Sequence, residues 1–429
     1  MTTAVDQNSP PKQQLNKRVL LGSLSGSVIE WFDFLVYGTV AALVFNKMYF
    51  PSDNEFLSTI LAYASFSLTF FFRPVGGVIF AHIGDRIGRK KTLFITLMLM
   101  GGGTVAIGLL PDYNAIGVWA PILLMFLRIL QGIGIGGEWG GALLLAYEYA
   151  PKKQRGLYGA VPQMGISLGM LLAAGVISLL TLMPEDQFLA WGWRIPFVGS
   201  ILLVFIGLFI RNGLDETPEF KRIRDSGQQV KMPLKEVLTK YWPAVLVSIG
   251  AQAAETGPFY IFGTYIVAYA TNFLNIRDNI VLLAVACAAL VATIWMPLFG
   301  SFSDRVNRAV LYRICASATI VLIVPYYLIL NTGEIWALFI TTVIGFGILW
   351  GSVNAILGEN FAPEVRYTGA TLGYQVGAAL FGGTAPIIAA WLFEISGGQW
   401  WPIAVYVAAC CLLSVIASFF IQRVAHQEN

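Results

Sequence analysis

The chain has 429 residues, of which 57% are hydrophobic and only 12% are charged, and its formal net charge is +3. A soluble domain with so few charged residues could not cover its core with a polar surface, so the composition excludes that class of protein. The small net charge gives no indication of a nucleic-acid partner. We therefore predict a polytopic membrane protein whose outer surface contacts membrane lipid.

Twelve apolar stretches of the length needed to cross a bilayer as helices follow one another along the chain. A charged segment at 212–242 separates the sixth from the seventh, which predicts an all-α integral membrane protein with two six-helix bundles. The bundles are expected at 19–211 and 243–422, with cytoplasmic tails at 1–18 and 423–429. The individual spans are predicted at 19–45, 57–82, 92–110, 118–148, 157–182, 191–211, 243–272, 278–300, 309–330, 335–358, 367–393 and 401–422.

Positive charge is unevenly distributed among the loops that connect these spans. The N-terminal tail and the even-numbered loops carry most of the Lys and Arg residues, whereas the odd-numbered loops carry only Lys47 and Arg277. Cytoplasmic loops are the ones enriched in Lys and Arg. We therefore expect both termini to be cytoplasmic, in a protein of the plasma (inner) membrane that acts as a monomer.

Charged residues deep inside the predicted spans are few, and each is a candidate functional residue because an embedded charge normally faces a cavity or another charge. For Glu138 and Arg194, which are close to helix ends, an equally expected role is structural, since long side chains can reach the membrane surface from there. The embedded set comprises Glu30, Asp33, Arg73, Arg128, Glu138, Arg194 and Glu255.

Two of these residues lie at compatible depths. At 1.5 Å per residue, Asp33 is about 21 Å into the first span and Arg128 about 15 Å into the fourth, so contact between them is expected. Glu30 and Asp33 are three residues apart and are predicted to share one helical face. Because desolvation favours a neutral carboxyl group and a nearby guanidinium favours the ionised one, an arginine could control proton binding. The proton-coupling candidates are Asp33, Glu30, Arg128, Glu138 and Glu255, with no choice among the acids.

No Gly-x-x-x-x-Gly-Lys-Ser/Thr phosphate-binding loop is present in the sequence, which excludes ATP hydrolysis by this chain as the energy source. An ion gradient remains, and we expect the proton as coupling ion and no cofactor, with sodium as an open alternative. The two histidines, His82 and His426, are too few for a typical metal site or catalytic triad. We therefore expect a protein that is not an enzyme.

The two halves of the chain repeat three sequence features in the same order. Duplicated six-helix halves place a binding site near the membrane midplane, between the halves, and expose it alternately to the two sides. The sequence therefore predicts alternating access to a small-molecule substrate. Residues 30–39 align with 255–264, residues 84–89 with 303–308, and the stretch 148–165 with 359–377.

Several short motifs are specific enough to identify a family. The loop Asp85-Arg-Ile-Gly-Arg-Lys90, its weaker copy beginning at Asp304, and Arg128-Ile-Leu-Gln-Gly132 with the glycines that follow resemble motifs of the major facilitator superfamily. Within it, Glu30-Trp-Phe-Asp-Phe, Phe72-Arg-Pro-Val-Gly-Gly, Gly136-Gly-Glu-Trp-Gly-Gly and Trp191-Gly-Trp-Arg-Ile-Pro-Phe resemble the metabolite:proton symporters, which carry shikimate, 2-oxoglutarate, citrate, or proline and betaine.

This resemblance implies the major facilitator fold and proton-coupled import of a small organic acid such as shikimate. It also implies that the acid of helix 1 and the arginine of helix 4, here Asp33 and Arg128, are coupled. Two alternatives stay open: proton-coupled uptake of a zwitterionic osmolyte such as proline or betaine, and a passive channel or facilitator in which the acids only line a pore.

An organic anion needs cationic and hydrogen-bonding groups in the cavity, and an arginine offers a bidentate fork that fits a carboxylate. Aromatic side chains could pack against a substrate ring or a quaternary ammonium group. For the tyrosines and glutamines, ordinary hydrogen bonding between helices is the more frequent role. The substrate-binding candidates are Arg73, Arg128, Trp31, Tyr37, Gln131, Gln163, Tyr260, Tyr374 and Gln375.

The basic loop after the second span is too short and too charged to bind a metabolite. In the superfamily it latches the cytoplasmic side, so the resemblance assigns this gating role here. In the second copy Asn307 replaces a glycine, and because asparagine tolerates a left-handed backbone we expect the turn to be kept. The gating candidates are Asp85, Arg86, Gly88, Arg89, Glu148, Arg155, Asp304 and Arg305.

Overall fold

A computed structural model describes residues 17–87, 89–148, 155–212, 234–347, 361 and 366–425, and its regular elements are all helical. In the first half, α1 continues through a π-helical segment at Ala41–Phe45 into Asn46–Met48, and a π-helical segment at Phe188–Gly192 leads into α6. The long helices are α1 at Lys17–Val40, α2 at Glu55–Ile87, α3 at Arg89–Leu109, α4 at Trp119–Glu148, α5 at Arg155–Leu180 and α6 at Arg194–Asn212.

The second half has the same order of helices after a short helix at Leu234–Lys240. α7 continues through a π-helical segment at Ile261–Tyr265 into Ile266–Asn272, and α11 continues through Ala378–Gly383 into Ala385–Ile395. The long helices are α7 at Trp242–Tyr260, α8 at Asp278–Ser303, α9 at Arg308–Leu330, α10 at Ile335–Gly347, α11 at Arg366–Gly377 and α12 at Trp401–Ala425.

Within the described ranges, nine helical stretches are long and apolar enough to cross a membrane, and α3 and α10 contain two shorter apolar helices. The remaining long helix, α7, is more polar, but every residue from Gly250 to Ala270 is buried by protein. α1 is likewise buried from Ile29 to Ala41. Polar groups on these two helices therefore avoid lipid because the other helices surround them.

The outer helices present large apolar side chains to the surroundings. On α6, Leu202 is 66% exposed and Phe209 81%, and on α9 Val321 is 70% exposed. Such surfaces are stable against lipid acyl chains and would be unfavourable in water. The chain is therefore a multi-pass membrane protein, and the predicted all-α fold class is confirmed.

Close packing of α2 against α4 depends on glycine. A Cβ atom at Gly76 would overlap the backbone of Ile133, and one at Gly136 would overlap the backbone of Arg73. Small residues allow helices to approach until their backbones touch. This contact holds the two helices that carry Arg73 and Arg128 at a fixed separation.

The two bundles meet along α5 and α8. At one end of this seam the backbone of Gly156 approaches that of Gly300, and at the other end Ser178 Oγ donates to Asn279 O at 2.9 Å. A second contact joins α2 to the π-helical segment of α11, where Ser67 Oγ donates to Gly383 O. The bundles are therefore in contact toward both membrane surfaces.

The turn before α9 differs from the sequence-based expectation. Asn307 has φ −67° and ψ 115°, an extended conformation, so the expected left-handed backbone at this position is wrong. Its side-chain oxygen accepts from Val310 N at 3.2 Å and caps the first turn of α9. Asparagine is suited to this place as a helix N-cap, which requires a side-chain acceptor and does not require φ above zero.

Candidate functional site

Arg128 is fully buried in the middle of α4. Its Nη1 donates to Gln131 Oε1 at 2.8 Å and its Nη2 donates to Phe66 O at 3.2 Å. The guanidinium carbon lies 3.7 Å from the centroid of the Tyr37 ring, and Tyr37 Oη is hydrogen bonded to Ser65 Oγ at 2.6 Å. Burial of a cation is tolerated here because hydrogen bonds and an aromatic face replace water.

Asp33 is 1% exposed, and neither of its carboxyl oxygens has a hydrogen-bond partner among the described residues. Thr104 on α3 and Ser200 on α6 lie beside the carboxyl group. Their hydroxyls donate instead to backbone carbonyls of their own helices, at 3.1 and 2.8 Å. The acid therefore lies inside the N-terminal bundle, among α1, α3 and α6, with no counterion in the part of the chain that the structure describes.

A chain of side chains nevertheless connects Asp33 to the arginine of α4. Gln131, which accepts from Arg128, donates through Nε2 to Thr104 Oγ1 at 2.8 Å, and Thr104 adjoins Asp33. The contact expected between Asp33 and Arg128 is not made in this conformation. The depths of Asp33 and Arg128 along their helices permit a contact, but Gln131 and Thr104 link the two residues instead. Depth alone could not predict these linking side chains.

Arg73 on α2 lies among three aromatic rings. Its guanidinium carbon is 4.6 Å from the ring centroids of Phe34 and Phe70 and 5.5 Å from that of Trp31. Its Nε and Nη2 groups are buried without a hydrogen-bond partner among the described residues. The Phe34 ring is also 5.3 Å from the guanidinium carbon of Arg128, so one ring contacts both cations.

The opposite wall of the site comes from α7 and α11. Glu255 Oε2, both amide atoms of Gln252, and Gln375 Oε1 are buried and lack hydrogen-bond partners in the described part of the chain. Tyr260 joins this wall to the N-terminal bundle, because its ring centroid is 5.1 Å from that of Phe70. Arg73, Glu30, Glu255 and Arg128 all lie within electrostatic range of Tyr260.

The two acids of α1 have different neighbours. Glu30 lies within electrostatic range of Tyr260 and Tyr374 in the C-terminal bundle, whereas Asp33 lies beside Thr104 and Ser200 in the N-terminal one. The two acids share one helical face, as their spacing predicts, but their carboxyl groups have different neighbours. A residue three positions further along an α-helix points about 60° away from the first. This difference in direction is enough to give Glu30 and Asp33 different neighbours.

The described candidate residues of the site are buried in this conformation. They come from both bundles and are at most 5% exposed, the value for Glu30. Because the bundles also touch at Gly156–Gly300 and Ser178–Asn279, we call this arrangement of the described residues occluded. The enclosed set comprises Glu30, Trp31, Asp33, Tyr37, Arg73, Arg128, Gln131, Gln163, Glu255, Tyr260, Tyr374 and Gln375.

Of the gating candidates, Asp304 makes a defined contact between the bundles. Its two carboxyl oxygens accept from the backbone amides of Gly156 at 2.8 Å and Leu157 at 3.1 Å, in the first turn of α5. A carboxylate is favoured there by the free amides and by the helix dipole. Arg305 is exposed beside it. Gly88 and the side chains of Asp85, Arg86, Arg89, Glu148 and Arg155 lie outside the described part of the chain, as does the side chain of Glu138.

Arg194, the remaining embedded cation, has a structural role. Its Nη1 donates to Gly108 O at 2.9 Å and to Leu110 O at 2.6 Å, so it binds the carbonyls at the end of α3. Its guanidinium carbon is 4.3 Å from the Trp193 ring centroid. Cations at helix C-termini are favoured by the same dipole that favours anions at N-termini.

Sequence reasoning missed several residues of the site. Gln252 lies one turn before Glu255 in a span, and this i, i+3 spacing of polar groups was a detectable signal. Thr104 and Ser200 gave no signal, because such residues usually bond to their own helix. The contact of Phe34 and Phe70 with Arg73 could not be predicted either, since phenylalanine is common throughout apolar spans.

The described residues contain no group of three His, Cys, Asp or Glu side chains that could hold a metal ion. The polar groups of the site are instead two arginines, buried acids, amides and tyrosines. Such groups can bind a small polar molecule and a proton.

Comparison with known proteins identifies the family. The family model described as Major Facilitator Superfamily matches residues 24–381. The shikimate transporter of Escherichia coli (strain K12) is 38% identical over 413 residues, which cover 95% of this chain and 94% of the relative. The proline/betaine transporter of the same strain is 34% identical over 427 residues, covering 96% and 85%.

A solved structure supports the fold. The crystal structure of a D-xylose-proton symporter superposes with a TM-score of 0.72 at 18% identity, over 94% of this chain and 97% of that chain. The predictions of family and of a protein that is not an enzyme are confirmed by these comparisons. The chain is a multi-pass membrane transporter that belongs to the major facilitator superfamily.

Proposed function

We propose that this transporter imports a small organic acid together with protons by alternating access. The observation that carries the proposal is Asp33, which is buried with no hydrogen-bond partner among the described residues and is linked through Thr104 and Gln131 to the buried Arg128. An ionised carboxylate without a partner is strongly unfavourable in such a place, so the occluded conformation fits the protonated acid.

Coupling then follows from a rearrangement of the hydrogen-bond chain. In the occluded conformation Arg128 is bound to Gln131 and Phe66 O, and Asp33 holds its proton. When the bundles rock and Gln131 releases Arg128, the guanidinium can approach Asp33 and favour its ionised form. The proton leaves on the side that is then open.

We further propose that the protein is a monomer of the inner membrane. Both termini and the Asp304 contact then lie on the cytoplasmic side.

The available energy is sufficient for accumulation. One proton moving down a potential of about 100 mV contributes about 2.3 kcal/mol. This corresponds to a substrate gradient of roughly fiftyfold, at 1.4 kcal/mol for each factor of ten.

The relatives support a small carboxylate as substrate. A shikimate transporter is 38% identical to this chain over nearly its whole length, and two buried arginines are suited to an organic anion. A zwitterionic osmolyte is the second candidate, because a proline/betaine transporter is 34% identical. Each of these candidates carries a carboxylate.

The test is uptake of radiolabelled shikimate into liposomes that contain the purified protein. We expect accumulation when the outside is more acidic, no accumulation with a sodium gradient alone, and loss of accumulation with a protonophore. Equilibration without accumulation under every gradient would instead identify a passive facilitator.

A further inference from the structure

The two buried arginines differ in how much of their hydrogen-bonding capacity is already used. Arg128 donates to Gln131 and to Phe66 O, and stacks on Tyr37. Among the described residues, Arg128 lacks a partner only at Nε, whereas Arg73 lacks one at both Nε and Nη2, which together form one edge of the planar guanidinium. Such an edge matches the two oxygens of a carboxylate. Arg73 is therefore the cation available to the substrate.

Aromatic rings hold this guanidinium in place without using its N–H groups. Phe34 and Phe70 each lie 4.6 Å from its carbon and Trp31 lies at 5.5 Å. Rings stabilise the charge through their faces and leave the in-plane donors unoccupied. A lysine could not present the same fork, because its ammonium is a point charge on a flexible chain.

The facing wall in the C-terminal bundle offers mainly acceptors. Glu255 Oε2, Gln252 Oε1 and Gln375 Oε1 are buried without partners, and the one unpartnered donor there is Gln252 Nε2, within the described residues. Each of these three side chains is at most 1% exposed. Gln252 adjoins Glu255, but no hydrogen bond joins them in this conformation. A buried acceptor left without a donor is unfavourable, so a ligand that supplies donors stabilises this wall.

Both walls face the same space. Tyr374 lies within electrostatic range of Glu255 on one side and of Arg73 on the other. The rings of Phe70, which contacts Arg73, and Tyr260 are 5.1 Å apart. Gln252 is set against α11, where a Cβ at Gly377 would lie 2.6 Å from its Cβ. The two walls therefore lie on either side of Tyr260 and Tyr374.

We propose that the substrate is a small carboxylate with hydrogen-bond donors at its far end, bound by Arg73 through the carboxylate and by Gln252, Glu255 and Gln375 through those donors. This inference rests on the proposed function and specifies its substrate class. Hydroxyl groups or N–H groups satisfy the acceptors. A quaternary ammonium group carries no N–H donor, so fully methylated betaine is excluded although the site is rich in aromatic rings.

Competition against pH-driven shikimate uptake tests the substrate class in the unmodified protein. Unlabelled shikimate, whose hydroxyls are donors, sets the reference affinity, and proline tests whether N–H groups can replace those hydroxyls. Betaine and cyclohex-1-ene-1-carboxylate, which is shikimate without its hydroxyls, should compete at least about a hundredfold more weakly. Equal competition by either of these two would overturn the inference.

Variants test the assigned residues. Gln252→Leu keeps the side-chain volume and removes both amide atoms, and we expect the ratio between shikimate and cyclohex-1-ene-1-carboxylate to fall from about a hundredfold to below about tenfold. A purely structural defect would lower both affinities together and leave the ratio unchanged. Gln399→Leu makes the same change in an exposed loop and should preserve the ratio. An unchanged ratio in Gln252→Leu would also overturn the inference.

Arg73→Lys should reduce shikimate uptake about a hundredfold and abolish the rise in melting temperature that shikimate produces. Arg313→Lys is the matched control, because Arg313 also stacks on a ring, that of Phe419 at 4.5 Å, but on α9. If Arg73→Lys binds and transports shikimate like the control, the inference is wrong. If no carboxylate follows a pH gradient even in the unmodified protein, the proposed function itself fails, so the two failures are distinguishable.

Discussion

The α2–α4 interface and the α7–α11 interface form opposite walls of one site, yet they are packed differently. Between α2 and α4 the glycines meet backbone atoms, as at Gly76 and Gly136. Between α7 and α11 they meet side chains, as at Gly377, where a Cβ would lie 2.6 Å from Gln252 Cβ. Gln252 Cβ moves only with its helix, so both contacts limit helix movement, but an added Cβ would overlap its neighbours more severely at Gly76 and Gly136 than at Gly377. The N-terminal wall is thus packed more closely than the C-terminal wall.

The polar groups follow the same division. In the N-terminal bundle, Arg128, Gln131 and Thr104 are joined by hydrogen bonds, whereas in the C-terminal bundle Gln252 and Glu255 have unpartnered atoms. The internal sequence repeat also distinguishes the two bundles, because Asp33 of α1 aligns with Pro258 of α7. Helix α1 therefore carries an acid at a position where its copy α7 carries none. On our proposals, proton binding by Asp33 belongs to the N-terminal half alone, whereas the substrate contacts both halves.

The largest effect is expected from adding a methyl group to the more closely packed N-terminal wall. Gly136→Ala should destabilise the protein by about 3 kcal/mol, because the new Cβ overlaps backbone that cannot rotate away. We expect loss of monodisperse protein or a large drop in melting temperature. Gly377→Ala should have a clearly smaller effect, and Gly102→Ala, which has open space around it, should have almost none. Equal damage at positions 136 and 377 would remove the distinction between the walls.

The next prediction concerns the acid that only α1 retains. Asp33→Asn should abolish pH-driven accumulation, at least tenfold relative to the unmodified protein, because the side chain can no longer bind and release a proton. Exchange of labelled for unlabelled substrate at equal concentrations should persist. Asp53→Asn makes the same change at an exposed loop position and should leave accumulation intact. Normal accumulation by Asp33→Asn would assign coupling to another acid.

A third prediction separates charge from geometry in the N-terminal bundle. Arg128→Lys keeps the positive charge but cannot donate to Gln131 and Phe66 O at the same angles, so uptake should fall about tenfold. Uptake as a function of external pH is the measurement. Arg313→Lys is again the control. Full activity of Arg128→Lys would mean that the charge alone suffices and that the rigid chain to Gln131 is dispensable.

The smallest effect is expected where the two halves touch. Asp304→Asn removes the charge that two amides of α5 contact, and should lower stability by about 1 kcal/mol. A modest fall in melting temperature should accompany faster substrate exchange, because the closed end opens more easily. Asp112→Asn is the control, since Asp112 caps an isolated exposed turn by accepting from Ala115 N at 3.0 Å. A slower exchange in Asp304→Asn would contradict a latch.

Part of this site could be predicted from residue type and position alone. Arg73 and Arg128 stand out because a cation inside an apolar span needs a specific reason to be there. Gln252 could have been found by the same argument applied to amides. The link from Arg128 to Asp33 could not, because it depends on Gln131 and Thr104, which belong to different helices and whose side chains choose partners only after the bundle packs.

The sequence by itself determined the membrane class, the twelve helices in two repeated halves and the family, because apolar length and short motifs are local properties of the chain. Only the tertiary structure decided that Arg128 donates to Gln131 and Phe66 O while Arg73 stacks on aromatic rings, and that Asp33 and Glu30 have neighbours in different bundles. These are properties of how helices rotate and approach one another. Rotation of a helix about its axis by a fraction of a turn changes the partners of its side chains, whereas the hydropathy of its sequence stays the same.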